Sequence, residues 1–116
     1  MKPDILERSI KYSLLIIKLF KELKGDSVGR IIGNQLLRSG TSIGANIHEA
    51  QGGQSKADFI AKMSIAHKEA LESAYWLRLV KDANVVSGIQ LVELIDETDQ
   101  LIRILSSILV SAKNKT

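Results

Sequence analysis

Cysteine is missing from this 116-residue chain, so neither a disulfide framework nor a thiolate metal site can form. That composition fits a reducing, cytoplasmic setting. Long apolar runs are missing too. The longest is Leu14 to Ile17, against the roughly 20 residues that a membrane-spanning helix needs. The N-terminal stretch "MKPDILERSIKYS" has charges every few residues and reads as neither a signal peptide nor a membrane span. Aromatic residues are scarce: beside Trp76 there are two Tyr and two Phe, few for stacking on nucleic-acid bases. No low-complexity stretch, linker or family-type repeat is visible.

What remains is 45% hydrophobic and 25% charged residues, the balance of a globular protein. The length suits a single domain, residues 1–116, with one modest core. Net charge is +3, unevenly spread: Met1 to Lys56 holds nine basic and five acidic residues, the remainder seven and eight. A basic first half is compatible with phosphate contact. Interspersed signs of this kind also describe an ordinary solvated surface.

Four helical segments separated by short breaks account for the chain. Pro3 and Asp4 open the first, with Asp4 and Glu7 at capping-box spacing, and it runs to about Lys24 before Gly25. Asp26 or Ser27 caps a second, which reaches about Gln51 and ends at Gly52–Gly53. Ser55 and Asp58 open a third that reaches about Ala83. Ser87, with Gln90 three positions on, opens the fourth, expected to fray into "SAKNKT". Breaks this short predict an all-α, antiparallel up-down-up-down four-helix bundle.

Two helices carry more apolar surface than such a bundle consumes. In the first, the charged residues form one narrow stripe, and Ile5, Leu6, Ile10, Tyr12, Leu14 to Ile17, Leu19, Phe20 and Leu23 fill the rest. A core-facing helix needs an apolar stripe only about 100° wide. In the third, Phe59, Met63, Ala66, Ala70, Ala74 and Leu77 form the expected core face. At about 100° per residue, Ile65, Trp76 and Leu79 lie nearly opposite, where a lone copy is expected to leave Trp76 exposed. Surplus apolar surface on two helices favours burial against another copy over a scattered surface patch.

The second helix carries its glycines on one edge. Gly29, Gly33, Gly40 and Gly44 fall within an arc of roughly 60°. Scattered, each would cost about 1 kcal/mol relative to alanine. Aligned, they make a groove without Cβ atoms for close helix packing. A phosphate-cradling loop is excluded by the absence of Gly-Lys-Ser/Thr and of a preceding strand. On the opposite edge, Arg38, Ser42, Asn46 and Glu49 follow at steps of four, four and three, with Gln35 nearby. Such a row is either solvated or a hydrogen-bonded network at a subunit junction. Glu72, beside Trp76, needs a donor or a cation, and Arg38 is the expected mate.

Nothing points to catalysis. His48 and Glu49 are adjacent, and His67 and Glu69 are two apart, spacings that do not share a helix face. There is no His-Glu-x-x-His, no Glu-x-x-His and no Gly-x-Ser-x-Gly. No catalytic residue, cofactor or metal site, membrane or small-molecule substrate is expected.

"QLLRSGTSIGANIHEAQGG" followed by "DFIAKMSIAHKEALESAYWLRLVKDANVV" resembles the four-helix-bundle proteins encoded in intervening sequences of bacterial 23S rRNA genes. The match rests on Gln35, Arg38, Ser42-Ile43, Asn46-Ile47, Glu49, Lys68-Glu69-Ala70, Glu72 and Tyr75-Trp76-Leu77. His48 and Ala50 depart from the pattern, which has alanine and glycine there. The resemblance implies a homo-oligomeric ring, typically a pentamer, of unknown role. The gene location in this family implies an RNA connection, and a distant relative serves a reverse transcriptase as a basic, ring-shaped accessory. The expected function is a non-enzymatic oligomeric scaffold with RNA, or a protein working on RNA, as partner. The alternative is a protein–protein interaction module with no nucleic-acid binding. The expected junction residues are Arg38, Ser42, Asn46, Glu49, Ile65, Glu72, Trp76 and Leu79.

Overall fold

The computed structural model describes residues 4–114, and the expected helix opener Pro3 lies outside them. Four helices make up the fold: α1 (Ile5–Leu23), α2 (Ser27–Gln51), α3 (Lys56–Asp82) and α4 (Ile89–Asn114). The protein is all-α, with no strand among the described residues. Its extents of 49 × 21 × 20 Å are those of a rod about one long helix in length.

Local chemistry explains most of the boundaries. Asp26 accepts from the Gly29 N–H at 2.8 Å and caps α2, whose last turn runs into Gly52. Ser55 accepts from the Asp58 N–H at 3.1 Å, while the Asp58 carboxylate takes the Gln54 N–H at 3.2 Å. Three expectations need correction. Asp4 occupies the cap position of α1 but makes no side-chain cap bond, so no Asp4–Glu7 capping box forms. Ser87 does not open α4, which begins at Ile89 after Gly88, a residue at φ 129° that glycine adopts without strain. Nor does α4 fray at Ser111: it stays helical through Asn114, with Leu109 buried and Lys113 in the last turn, where a cation suits the helix dipole.

Each helix packs on its sequence neighbours, and α1 meets α4 over only a short stretch. Ile16, Leu23, Leu36, Ile43, Ile47, Met63, Ala66, Ala70, Leu77, Val80, Leu101 and Leu105 are at most 1% exposed and form the core. On α3 the expected core positions Phe59 and Ala74 are only half-buried, and Ser73 and Val80 are buried instead.

A layer of hydroxyl groups crosses this core, one from each helix. Tyr12 and Thr98 share a hydrogen bond of 2.7 Å, and Ser39 and Ser73 share one of 2.8 Å. The Ser73 hydroxyl also lies near enough to Tyr12 to act on its ionisation, which brings the two pairs side by side. All four residues are buried. Burial pushes the Tyr12 hydroxyl up to about 12, against the opposing pull of its bond to Thr98 and of the Ser73 hydroxyl nearby. Such a layer is satisfied only when the four helices stand in one mutual register, since a slip strands buried polar atoms. Thr98 and Ser73 also donate to the carbonyls of Leu94 and Glu69, so removing one phenol leaves neither orphaned. Tyr12→Phe should therefore lower stability by about 1 kcal/mol. The urea midpoint should fall at constant slope. An unchanged midpoint would deny the layer any energetic role.

Candidate interaction surface

The polar row of α2 and the second stripe of α3 lie side by side. Arg38 bridges to α3, donating to Glu69 at 3.2 Å and to Glu72 through its other terminal nitrogen. Glu72 is approached from its own helix as well: the Trp76 indole N–H donates to it at 2.9 Å, one turn on. Glu72 titrates below the ordinary carboxylate range, first because of the indole bond and then because of Arg38, with partial burial opposing both. Arg38 is held above its ordinary value, chiefly by Glu72. Because the folded carboxyl is depressed, its contribution is full above the unfolded value and fades as acid protonates it.

The remaining row residues are satisfied locally. Ser42 donates to the Arg38 carbonyl at 2.7 Å, and Asn46 to the Ser42 carbonyl at 2.8 Å. Glu49 accepts from Lys62 of α3 at 2.7 Å. Arg38, Glu49 and Glu72 thus engage α3 and α2 of the same chain. The expectation that a lone copy leaves Trp76 exposed is corrected. Its ring is half-buried, packed against the core and edge-on to Tyr75 at a centroid distance of 5.1 Å. The α2–α3 crossing brings the indole down onto the core margin, which an isolated wheel does not register. Ile65 is exposed and Leu79 half-buried along the same stripe.

On the glycine edge, α1 presses close. A Cβ at Gly40 would lie 2.8 Å from Ile16 Cγ1, and one at Gly29 would run into the Leu23 carbonyl oxygen. At Gly33 and Gly44 the corresponding approaches are 3.1 Å to Phe20 and 3.2 Å to the Ser9 hydroxyl.

The family model for the 23S rRNA-intervening sequence protein matches residues 1–107. The chain belongs to that family. A crystal structure of a protein of unknown function from the S23 ribosomal protein family, from Bacteroides thetaiotaomicron, is 38% identical in sequence. The match covers 91% of this chain and 98% of that one, with a TM-score of 0.86. No curated protein matches.

This member of the 23S rRNA-intervening sequence protein family also exposes apolar residues that the sequence reading did not single out. Val28 and Ile31, at the start of α2, are exposed, Ile31 at 66%. The signal was available: at about 100° per residue both share the arc of Gln35, Arg38 and Ser42. On α1, where surplus apolar surface is expected, Leu6, Ile10 and Leu14 lie one turn apart and are exposed. Leu71 and Tyr75 are open on α3. Among the described residues, no group of three His, Cys, Asp or Glu is placed to hold a metal ion, and no helix is long and apolar enough to cross a membrane.

Proposed function

We propose that the protein is a non-enzymatic homo-oligomeric scaffold, an up-down-up-down bundle that assembles into a ring, with five copies the number implied by its family resemblance. The observation that carries this reading is the exposed line Leu6, Ile10 and Leu14 on α1, at 36%, 42% and 59%. Soluble single chains seldom leave a contiguous apolar strip of this kind open on a helix that already supplies its own core. The up-down order is supported by contacts that run in opposite directions along neighbouring helices. Gly44 meets Ser9 while Gly33 meets Phe20, and Glu49 meets Lys62 while Arg38 meets Glu72.

RNA, or a protein acting on it, is the partner in this reading. Support comes from the link to 23S rRNA in the family's name and from the basic first half of the chain. Against nucleic acid, and in favour of a pure protein-interaction module, stands the pairing of Arg8, Arg38, Lys62 and Arg78 with carboxylates of the same chain.

Light scattering at micromolar concentration should return a multiple of the 12.8 kDa chain mass. A mass near that of one chain would defeat the scaffold reading. Binding to a fragment of 23S rRNA should weaken steeply with salt, by roughly one power of concentration per phosphate neutralised. Binding insensitive to salt, or none, would leave the interaction module.

A further inference from the structure

Resting on the RNA reading, we propose that the turn between α1 and α2 is a phosphate-binding site. Lys21, Lys24 and Arg30 hold the RNA backbone there without reading its bases.

Many of the chain's cations are already compensated. Arg8, Arg38, Lys62 and Arg78 are paired with carboxylates. Lys11, Lys18, Lys68 and Arg103 each have a carboxylate four residues away on the same helix, at Glu7, Glu22, Glu72 and Asp99. Lys21 and Lys24 have no acidic residue three or four positions to either side. Arg30 has only Asp26, whose carboxylate is engaged by the Gly29 N–H at 2.8 Å. All three cations are exposed, and none forms an ion pair among the described residues.

Packing brings the three together. Leu23 lies against Gly29 and Gly33, and Phe20 against Gly33, so the last turn of α1 touches the first turns of α2. At about 100° per residue, Lys21 and Lys24 stand on the outer side of this seam on α1, and Arg30 stands on its outer side on α2. Glu22 stands about 100° round the helix from Lys21, toward α4. From Lys18 to Asn34, four cations face two carboxylates, Glu22 one turn from Lys18 and Asp26 committed to its cap. The turn therefore keeps a positive excess.

Fold stability accounts for only part of this. Cations suit the C-terminal end of α1, where Lys21 and Lys24 stand. Arg30 stands near the N-terminal end of α2, where the dipole favours the opposite sign, and the first turn there holds no acidic residue. Uncompensated cations gathered at one place attract a polyanion. No aromatic residue lies between Lys21 and Asn34, so no base can stack at the turn. Contacts to phosphate alone position a nucleic acid but carry no sequence information.

The test compares two triple variants of the full chain by gel shift with a 23S rRNA fragment over a range of salt. Lys21→Gln, Lys24→Gln and Arg30→Gln together strip the turn of its cations. Lys11→Gln, Lys68→Gln and Arg103→Gln remove the same charge where a carboxylate stands one turn away. All six side chains are exposed, so both variants should keep the wild-type melting transition. The turn variant should bind on the order of a hundredfold more weakly at about 0.1 M salt. Its plot of log affinity against log salt should be shallower by about two to three. The other variant should keep the wild-type slope, and RNA of unrelated sequence should compete equally with the fragment. Equal losses in the two variants reduce the effect to net charge and overturn the site. A turn variant that binds as the wild type does overturns it too, as does a sequence preference lost with the turn cations. A wild-type chain that binds no RNA defeats the RNA reading itself, and if it binds phosphatidylserine vesicles through the turn, these cations serve a lipid surface instead.

Discussion

Gly40→Leu should melt roughly 5–10 °C below wild type, although helix propensity alone favours leucine by about 0.8 kcal/mol. The reason is the approach of α1. A Cβ at this position sits 2.8, 2.9 and 3.0 Å from Cγ1, Cγ2 and Cδ1 of Ile16, before the rest of the side chain is added. Ile16 is fully buried and cannot swing away. Overpacking of this kind typically costs about 1–3 kcal/mol, and a branched side chain at a helix crossing belongs at the upper end. Gly25 supplies the control, since a Cβ there meets nothing within 4 Å and Gly25→Ala should hold or slightly raise the melting temperature. Thermal unfolding by circular dichroism decides the matter. A Gly40→Leu protein that melts at or above the wild-type temperature with its assembly intact would show that α1 can move aside.

In the proposed oligomer, Trp76→Ala should shift the equilibrium toward monomers, at a cost of at least about 2 kcal/mol of association, while most of the helical signal survives. The fold itself should also lose stability. The half-buried ring packs on the core and donates to Glu72, and both contacts vanish. Sedimentation measured alongside urea unfolding separates the two effects, and an oligomer untouched by Trp76→Ala removes this residue from the junction. Arg38 and Glu72 extend the test. Their pair is closed within one chain and Arg38 is half exposed, so the coupling belongs in the range of about 1 kcal/mol. Arg38→Ala together with Glu72→Ala should cost less than the two single changes combined. Strict additivity would dissolve the pairing.

Much of this arrangement is legible without coordinates, and the reasons are local. Periodicity marks the four helices because an apolar face repeating at three- and four-residue steps has few other uses. The caps Asp26 and Ser55 announce themselves through spacing, since each side chain needs only the N–H three residues on. The pairing of Arg38 with Glu72 follows from a carboxylate among apolar neighbours facing a row with a single strong cation. Where capping spacing misled, Asp4 lacks the extended backbone of the caps Asp26 and Ser55, and Gly88 at φ 129° stands between Ser87 and the start of α4.

The hydroxyl layer belongs to tertiary structure alone. Tyr12 reads as one more apolar residue of α1, and Ser39, Ser73 and Thr98 read as ordinary polar interruptions. What joins them is the mutual height of four helices, which is settled by side-chain interlocking across the whole rod. Tertiary packing likewise turned Trp76 from an exposed surface residue into a half-buried one and left Val28 and Ile31 open. The sequence by itself determined which residues share a helix face, because that depends on a fixed rotation per residue. Which of those faces the molecule keeps for its own core, and which it leaves uncovered, was decided only when the helices met, since burial is a property of neighbours far apart along the chain.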